Sequence, residues 1–216
     1  MMVELKTPAD ADALAPRVTA HLRRCRLLAY PTETVYGLGS FADDAGLDSL
    51  ARLKGRPPRK PFLLLVSGVA MLEASGLVMS LYAKALAREF WPGPLTLVLR
   101  GGEGKLPDRL RGAEGGIAVR WTSHVVLARL IERIGVPLTS TSANRAGGAP
   151  SPGAEGISQL FPDAVASGEL LVLDGGVLGN VPPSTLVDCT GPRPVIIRDG
   201  AIPRDELRRR AGSMAP

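Results

Sequence analysis

The 216-residue chain has few of the residues that usually announce a chemistry. Its two cysteines, Cys25 and Cys189, cannot build a disulfide framework, and both read as small core residues. Its two histidines, His21 and His124, form no cluster at zinc spacing with them, so no residue is assigned as a metal ligand. Aromatic residues make up 4%, which argues against a surface on which nucleic-acid bases stack. No apolar stretch approaches the roughly 20 residues needed to span a bilayer. The start MMVELKTPADADA has no basic region followed by an apolar core, so no signal peptide and no membrane partner are read, and a cytoplasmic location is expected. Familiar nucleotide motifs are missing as well. Gly101-Gly102-Glu103-Gly104-Lys105 is followed by Leu106, where a phosphate-binding loop needs Ser or Thr. No G-x-G-x-x-G follows a strand, and there is no G-x-S-x-G.

What is present suits one soluble globular domain. Hydrophobic residues are 45% and charged residues 22%, enough for a sizeable core. Lysine and arginine exceed aspartate and glutamate, 26 against 21, a balance that fits an anionic ligand such as a nucleotide, or nucleic acid. Part of the excess, Arg204, Arg208, Arg209 and Arg210, lies in a basic segment, 203–216, read as a partly ordered tail after a domain spanning 1–202.

Periodicity and punctuation give the fold class. Helices are read over Asp10 to Arg26, from Asp43-Asp44 to before Pro57-Pro58, over Met71 to Ala74, Ser80 to Phe90, and Val125 to Ile134 with Ser123 as cap. Short apolar strands are read at 27–30, 62–66, 96–99, 117–121, 138–140, 170–173, 185–187 and 195–197. The alternation predicts an α/β domain with a largely buried sheet.

Three segments carry candidate chemistry. In Tyr30-Pro31-Thr32-Glu33-Thr34-Val35-Tyr36-Gly37-Leu38-Gly39, two hydroxyls flank a carboxylate directly after a buried strand, where α/β ligands often bind. The same residues would equally make a capped turn, with the glycines supplying backbone freedom. Lys54-Gly55-Arg56-Pro57-Pro58-Arg59-Lys60 sets four cations in a proline-stiffened loop, suited to a polyphosphate or to plain solvation. Thr139-Ser140-Thr141-Ser142-Ala143-Asn144 ends a strand in hydroxyls and an amide, which can serve a ligand or their own backbone. Arg120 and Arg198 each end an apolar strand, and Ser184 starts one. His124 reads as a cap or packing residue rather than a base.

Together and in order, YPTETVYGLG, KGR with KPF, WPGPLTLVL, GIAVR, the SAN of TSTSANRAGGAPSP, PSTLVD and IIRDGAI resemble the L-threonylcarbamoyladenylate synthase family, the YrdC-like domain, in its short form. The resemblance implies a single domain with a twisted mixed sheet and flanking helices around a deep, basic cavity. It implies condensation of L-threonine, bicarbonate and ATP into threonylcarbamoyladenylate with release of pyrophosphate, for tRNA modification by downstream threonylcarbamoyltransferase proteins. It implies a tetrad of Lys54, Arg56, Ser142 and Asn144, threonine contacts at Thr32, Arg120, Ser140 and Ser184, and further nucleotide contacts at Ser151 and Arg198. Lys54 and Arg56 would stabilise charge on the phosphates, with Mg²⁺ carried mainly by ATP. Val35 and Leu65 would line the threonine methyl group. The alternative is a structured-RNA-binding module of the same fold without adenylation, with tRNA as its contact.

Overall fold

A computed structural model of the chain describes residues 1–55, 61–145 and 147–212. The first strand, β1 (Met2–Glu4), leads into helix α1 (Pro8–Leu22) through a capping box. Thr7 Oγ1 accepts from the Asp10 amide at 3.2 Å while the Asp10 carboxylate accepts from the Thr7 amide at 2.8 Å. The helix stops at Leu22, four residues short of the sequence expectation, and the chain turns through Cys25 at φ 55°. That turn leaves Cys25 exposed, which corrects its reading as a core residue; Cys189 is buried, and burial pushes its thiol up to about 12.

Strands β2 (Leu27–Tyr30) and β3 (Gly37–Gly39) form an antiparallel pair that precedes helix α2 (Asp44–Lys54). Asp43 caps α2 by accepting from the Gly46 amide, and Gly55 ends it in the left-handed conformation. The chain continues through β4 (Leu63–Val66), α3 (Val69–Ala74), β5 (Leu77–Val78), α4 (Leu81–Phe90), β6 (Leu95–Gly101), β7 (Ile117–Trp121), α5 (Val125–Ile134) and β8 (Leu138–Ser142). It closes with α6 (Ala154–Leu160), α7 (Pro162–Ala166), β9 (Leu170–Asp174), β10 (Thr185–Asp188), β11 (Val195–Arg198) and α8 (Arg204–Gly212). The segment read as a tail is thus helical from Arg204, with Leu207 buried and Arg210 paired with Glu89 of α4. No helix among the described residues is long and apolar enough to cross a membrane.

The strands make one mixed sheet in the order β1-β9-β2-β3-β8-β4-β7-β6-β10-β11, with β5 on β6. Both faces are covered near its middle, which is why these strands read as unbroken apolar runs rather than alternating ones. Leu27, Ala29, Leu64, Val66, Leu170 and Val172 pack in one core cluster, beneath α2, α4 and α6. Their neighbours Leu28, Tyr30, Leu65, Leu171 and Leu173 pack on the other side against α1 and α5. Asp12 of α1 ties those two helices by ion pairs to Arg129 and Arg133 of α5, and the guanidiniums hold its carboxyl well below the usual carboxylate range.

The glycines of β3 are not turn glycines. A Cβ on Gly39 would stand 2.1 Å from the Thr139 backbone oxygen and 2.6 Å from the Tyr30 hydroxyl, so the close approach of β2, β3 and β8 requires hydrogen at that position. Gly39→Ala is expected to cost about 3 kcal/mol, at the upper end of overpacking effects, because the nearest atom is backbone and cannot rotate away. Urea denaturation measures this, and a loss below about 0.5 kcal/mol would show that the strands part freely.

The cap of α5 is His124, not Ser123: its Nδ1 accepts from the Leu127 amide at 3.2 Å, a role open only to an unprotonated nitrogen. His21 points Nε2 at the Leu27 carbonyl, 2.9 Å away. Burial holds both imidazoles below their ordinary value of 6.5. The unfolded chain therefore binds protons more readily, and stability that is complete above about pH 6.5 declines as the pH falls through the lower folded values. The urea midpoint is expected to drop between pH 7.5 and 5.5, and to drop less in His124→Asn, whose amide caps without titrating. An equal pH response in the variant would exclude His124 as a source.

Candidate active site

The cavity of interest is the part of the second sheet face that α1 and α5 leave uncovered. Where those helices end, the same strand parity that carries Leu28, Leu65 and Leu138 carries shorter or polar residues instead. Thr96 and Val98 of β6, Ala118 and Arg120 of β7, Ser140 and Ser142 of β8, and Leu186 and Asp188 of β10 form the floor. The register aligns them: Thr96 lies opposite Leu186, Val98 opposite both Ala118 and Asp188, and Leu63 opposite Ser140. The loop after β2 and the stretch before β10 supply the walls, through Thr32, Thr34, Val35 and Ser184. The enclosed volume is about 510 Å³.

Six of the ten residues expected at the site line this cavity: Thr32, Arg120, Ser140, Ser142, Ser184 and Arg198. Arg120 is 4% exposed and donates from Nη1 to Thr34 Oγ1 at 3.1 Å. Thr32 Oγ1 lies 3.1 Å from the same Thr34 hydroxyl and donates to the Val35 carbonyl, which closes the turn after β2. Ser184 shares a 2.7 Å hydrogen bond with Thr96 Oγ1. Arg198 donates from Nη2 to the Ser184 carbonyl at 2.8 Å. Its partial burial, and then the nearby Arg120 charge, hold its pKa below the usual arginine value. Two guanidiniums directed at one cavity repel each other until an anion lies between them.

Lys54 stands at the edge, and its setting differs from the expected proline-stiffened loop. It is the last residue of α2, only 7% exposed, and it donates to the Ser142 carbonyl at 2.8 Å, the Asn144 carbonyl at 2.5 Å and Asn144 Oδ1 at 2.6 Å. Ser142 Oγ donates to the same Oδ1 at 2.7 Å. Lys54, Ser142 and Asn144 therefore form one hydrogen-bonded cluster, with the ammonium favourably placed at the helix C-terminus. Arg56, with the rest of the basic loop to Lys60, lies outside the described residues. Ser151 is buried, and its hydroxyl donates to the Gly153 carbonyl before α6 rather than lining the cavity.

Val35 lines the cavity as expected, but Leu65 does not. It is fully buried against α5, and Leu63, two residues earlier on the same face, takes the lining position. The described lining does not by itself make the expected basic cavity. Among the described lining residues Arg120 and Arg198 are matched by Glu114 and Asp188. Thr34, the second of the two hydroxyls flanking Glu33, lines the cavity, and so does Thr96, which the sequence reading does not single out. The alternation of Thr96 with apolar Leu95 and Leu97 in its strand is the available signal.

The Sua5/YciO/YrdC family, described as telomere recombination, matches residues 20–200. A threonylcarbamoyl-AMP synthase of Chromohalobacter salexigens is 40% identical over 179 residues, 82% of this chain and 93% of that protein. The threonylcarbamoyl-AMP synthase of Pyrococcus abyssi is 35% identical over 195 residues, 89% of this chain, and the chain spans only 56% of that longer relative. The crystal structure of P. abyssi Sua5 complexed with L-threonine superposes with a TM-score of 0.86 at 30% identity, covering 98% of this chain and 61% of that one.

Proposed function

The chain belongs to the Sua5/YciO/YrdC family, and on that premise we propose that it synthesises L-threonylcarbamoyladenylate from L-threonine, bicarbonate and ATP, releasing pyrophosphate. The observation that carries the reading is the convergence of Arg120, Arg198, Ser140, Ser142, Ser184 and Thr32 on one cavity of about 510 Å³. Two guanidiniums answer two anionic substrates, an amino-acid carboxylate and a nucleotide phosphate.

Arg120 binds the threonine carboxylate, and Thr32, Ser140 and Ser184 offer hydroxyls to the side-chain hydroxyl and amine. The threonine amine attacks the carbon of bicarbonate. An N–C bond forms, water leaves and a carbamate results. A carbamate oxygen then attacks the α-phosphorus of ATP. The new O–P bond replaces the bond to the bridging oxygen, whose electrons depart with pyrophosphate. Negative charge grows on the phosphoryl oxygens, where Arg198, Lys54 and Arg56 oppose it. Asn144 and Ser142, fixed by Lys54, hold the nucleotide edge, with Ser151 behind them. The cavity contributes mainly by aligning three reactants.

Mg²⁺ carried by the ATP phosphates would neutralise part of their charge when bound. Among the described residues no group of three or more His, Cys, Asp or Glu side chains could hold a metal ion. The product then passes to threonylcarbamoyltransferase proteins that modify tRNA. The alternative, a structured-RNA-binding module of the same fold, would show salt-dependent RNA binding without turnover.

The test is to incubate the chain with Mg-ATP, L-threonine and isotopically labelled bicarbonate and identify the product by mass spectrometry. A threonylcarbamoyladenylate carrying the label supports the reading. AMP formed without threonine-linked product would reject it.

A further inference from the structure

Glu33 is a carboxylate that the site as described does not use. Its side chain is 13% exposed, and it sits between Thr32 and Thr34, the two cavity hydroxyls, yet it does not line the cavity. One oxygen, Oε2, accepts from Thr122 Oγ1 at 2.5 Å. The Thr122 hydroxyl is itself 1% exposed and accepts from the His124 amide at 3.2 Å, so the anchor belongs to the cap of α5. The other oxygen, Oε1, faces Arg120 Nε at 3.5 Å. Both of these atoms are buried, and neither has a hydrogen-bond partner among the described residues. The guanidinium is thus bracketed, with Nε turned to Glu33 and Nη1 on Thr34 Oγ1.

We propose that Glu33 is a positioning residue for the threonine subsite: anchored by Thr122, it fixes the guanidinium plane of Arg120 so that its free edge meets the substrate carboxylate. The inference rests on the assignment of Arg120 to threonine made above. Three physical facts support it. A buried arginine needs a nearby anion, and Glu33 is the carboxylate that contacts Arg120. A carboxylate 3.5 Å from Nε orients the charge electrostatically without tying up the donors that a second carboxylate would take. And Glu33 is itself held by a hydroxyl whose position is set by a helix cap, so its own rotamer is not free.

The test is steady-state pyrophosphate release by wild type, Glu33→Gln and Thr122→Val, with KM for threonine and for ATP measured separately. Glu33→Gln keeps the shape and can still accept from Thr122, but it puts no charge beside Nε. Its KM for threonine is expected to rise by about 10- to 100-fold, the cost of a misplaced binding group, with kcat at saturating threonine within about twofold and KM for ATP unmoved. Thr122→Val keeps both charges and removes the anchor, together with the acceptor for the His124 amide, so a rise of about 3- to 10-fold in the threonine KM is expected. A purely structural role would instead lower the active fraction, and with it kcat, while leaving the threonine KM in place. If Glu33→Gln does not fold, Thr122→Val carries the test. An unchanged threonine KM in the folded variants overturns the proposal while leaving the function standing. A wild-type chain without threonine-dependent release overturns the function, and this proposal with it.

Discussion

Replacing Lys54 by alanine is expected to lower the pyrophosphate-release rate by about 10²–10³-fold, the usual loss when one preorganised charge contact to a transition state is removed. The sequence alone suggests a solvated loop lysine whose loss leaves stability intact. The structure changes that expectation. Lys54 is buried at the end of α2 and ties the Ser142 and Asn144 carbonyls to the helix. Alanine leaves those oxygens short of a charged donor, and a loss of about 1.5–3 kcal/mol in stability accompanies the loss of rate. Threonine affinity, carried by Arg120 and the hydroxyls, should change little. Turnover, a calorimetric threonine titration and a melting curve on the same preparation separate the three effects. Near-normal turnover in a folded variant would remove Lys54 from the chemistry.

Arg120→Ala has the second large expected effect, on binding and on stability together. Threonine binding should weaken by at least about 100-fold, since a charged bidentate contact of some 3 kcal/mol is lost. Folding should lose about 3 kcal/mol or more, because Glu33 is left largely buried without its counter-charge. The double variant Arg120→Ala with Glu33→Gln distinguishes the two consequences. It should recover part of the stability, because no unpaired charge remains, and none of the threonine binding. Urea denaturation and calorimetry read these outcomes. Recovery of threonine binding in the double variant would show that Arg120 does not contact the substrate.

The fold was legible where local chemistry and tertiary structure agree. Leu27–Tyr30 and Ile117–Trp121 are found as strands because burial on both faces leaves unbroken apolar runs, and Asp43 and Ser80 are found at helix starts because a short polar side chain caps an open amide. Strand β3 escaped because Gly37-Leu38-Gly39 looks like a turn, and only the approach of Thr139 and Tyr30 shows why glycine is needed. Strand β1 escaped because three residues at an edge carry no period.

The site divides along the same line. Arg120 and Ser184 stand out locally, as a charge and a hydroxyl bordering apolar strands. The contact between Ser184 and Thr96 spans 88 positions and exists only because β10 lies beside β6 in the sheet. Leu65 lies on the expected strand but under α5 rather than in the cavity, since a period of two identifies a face and not how far a helix covers it. Lys54 looked solvated because the acceptors that bury it come from residues 142–144. The acidic part of the lining is equally hidden, because Glu114 and Asp188 reach the cavity from separate elements.

If one cavity joins three substrates, an omission series reveals it. Pyrophosphate release from Mg-ATP is measured with threonine and bicarbonate together, with each alone, and with neither. Release only in the complete mixture, lost in Arg120→Ala, is the predicted result. Release that persists without threonine or without bicarbonate, or that survives in Arg120→Ala at wild-type KM, would contradict it.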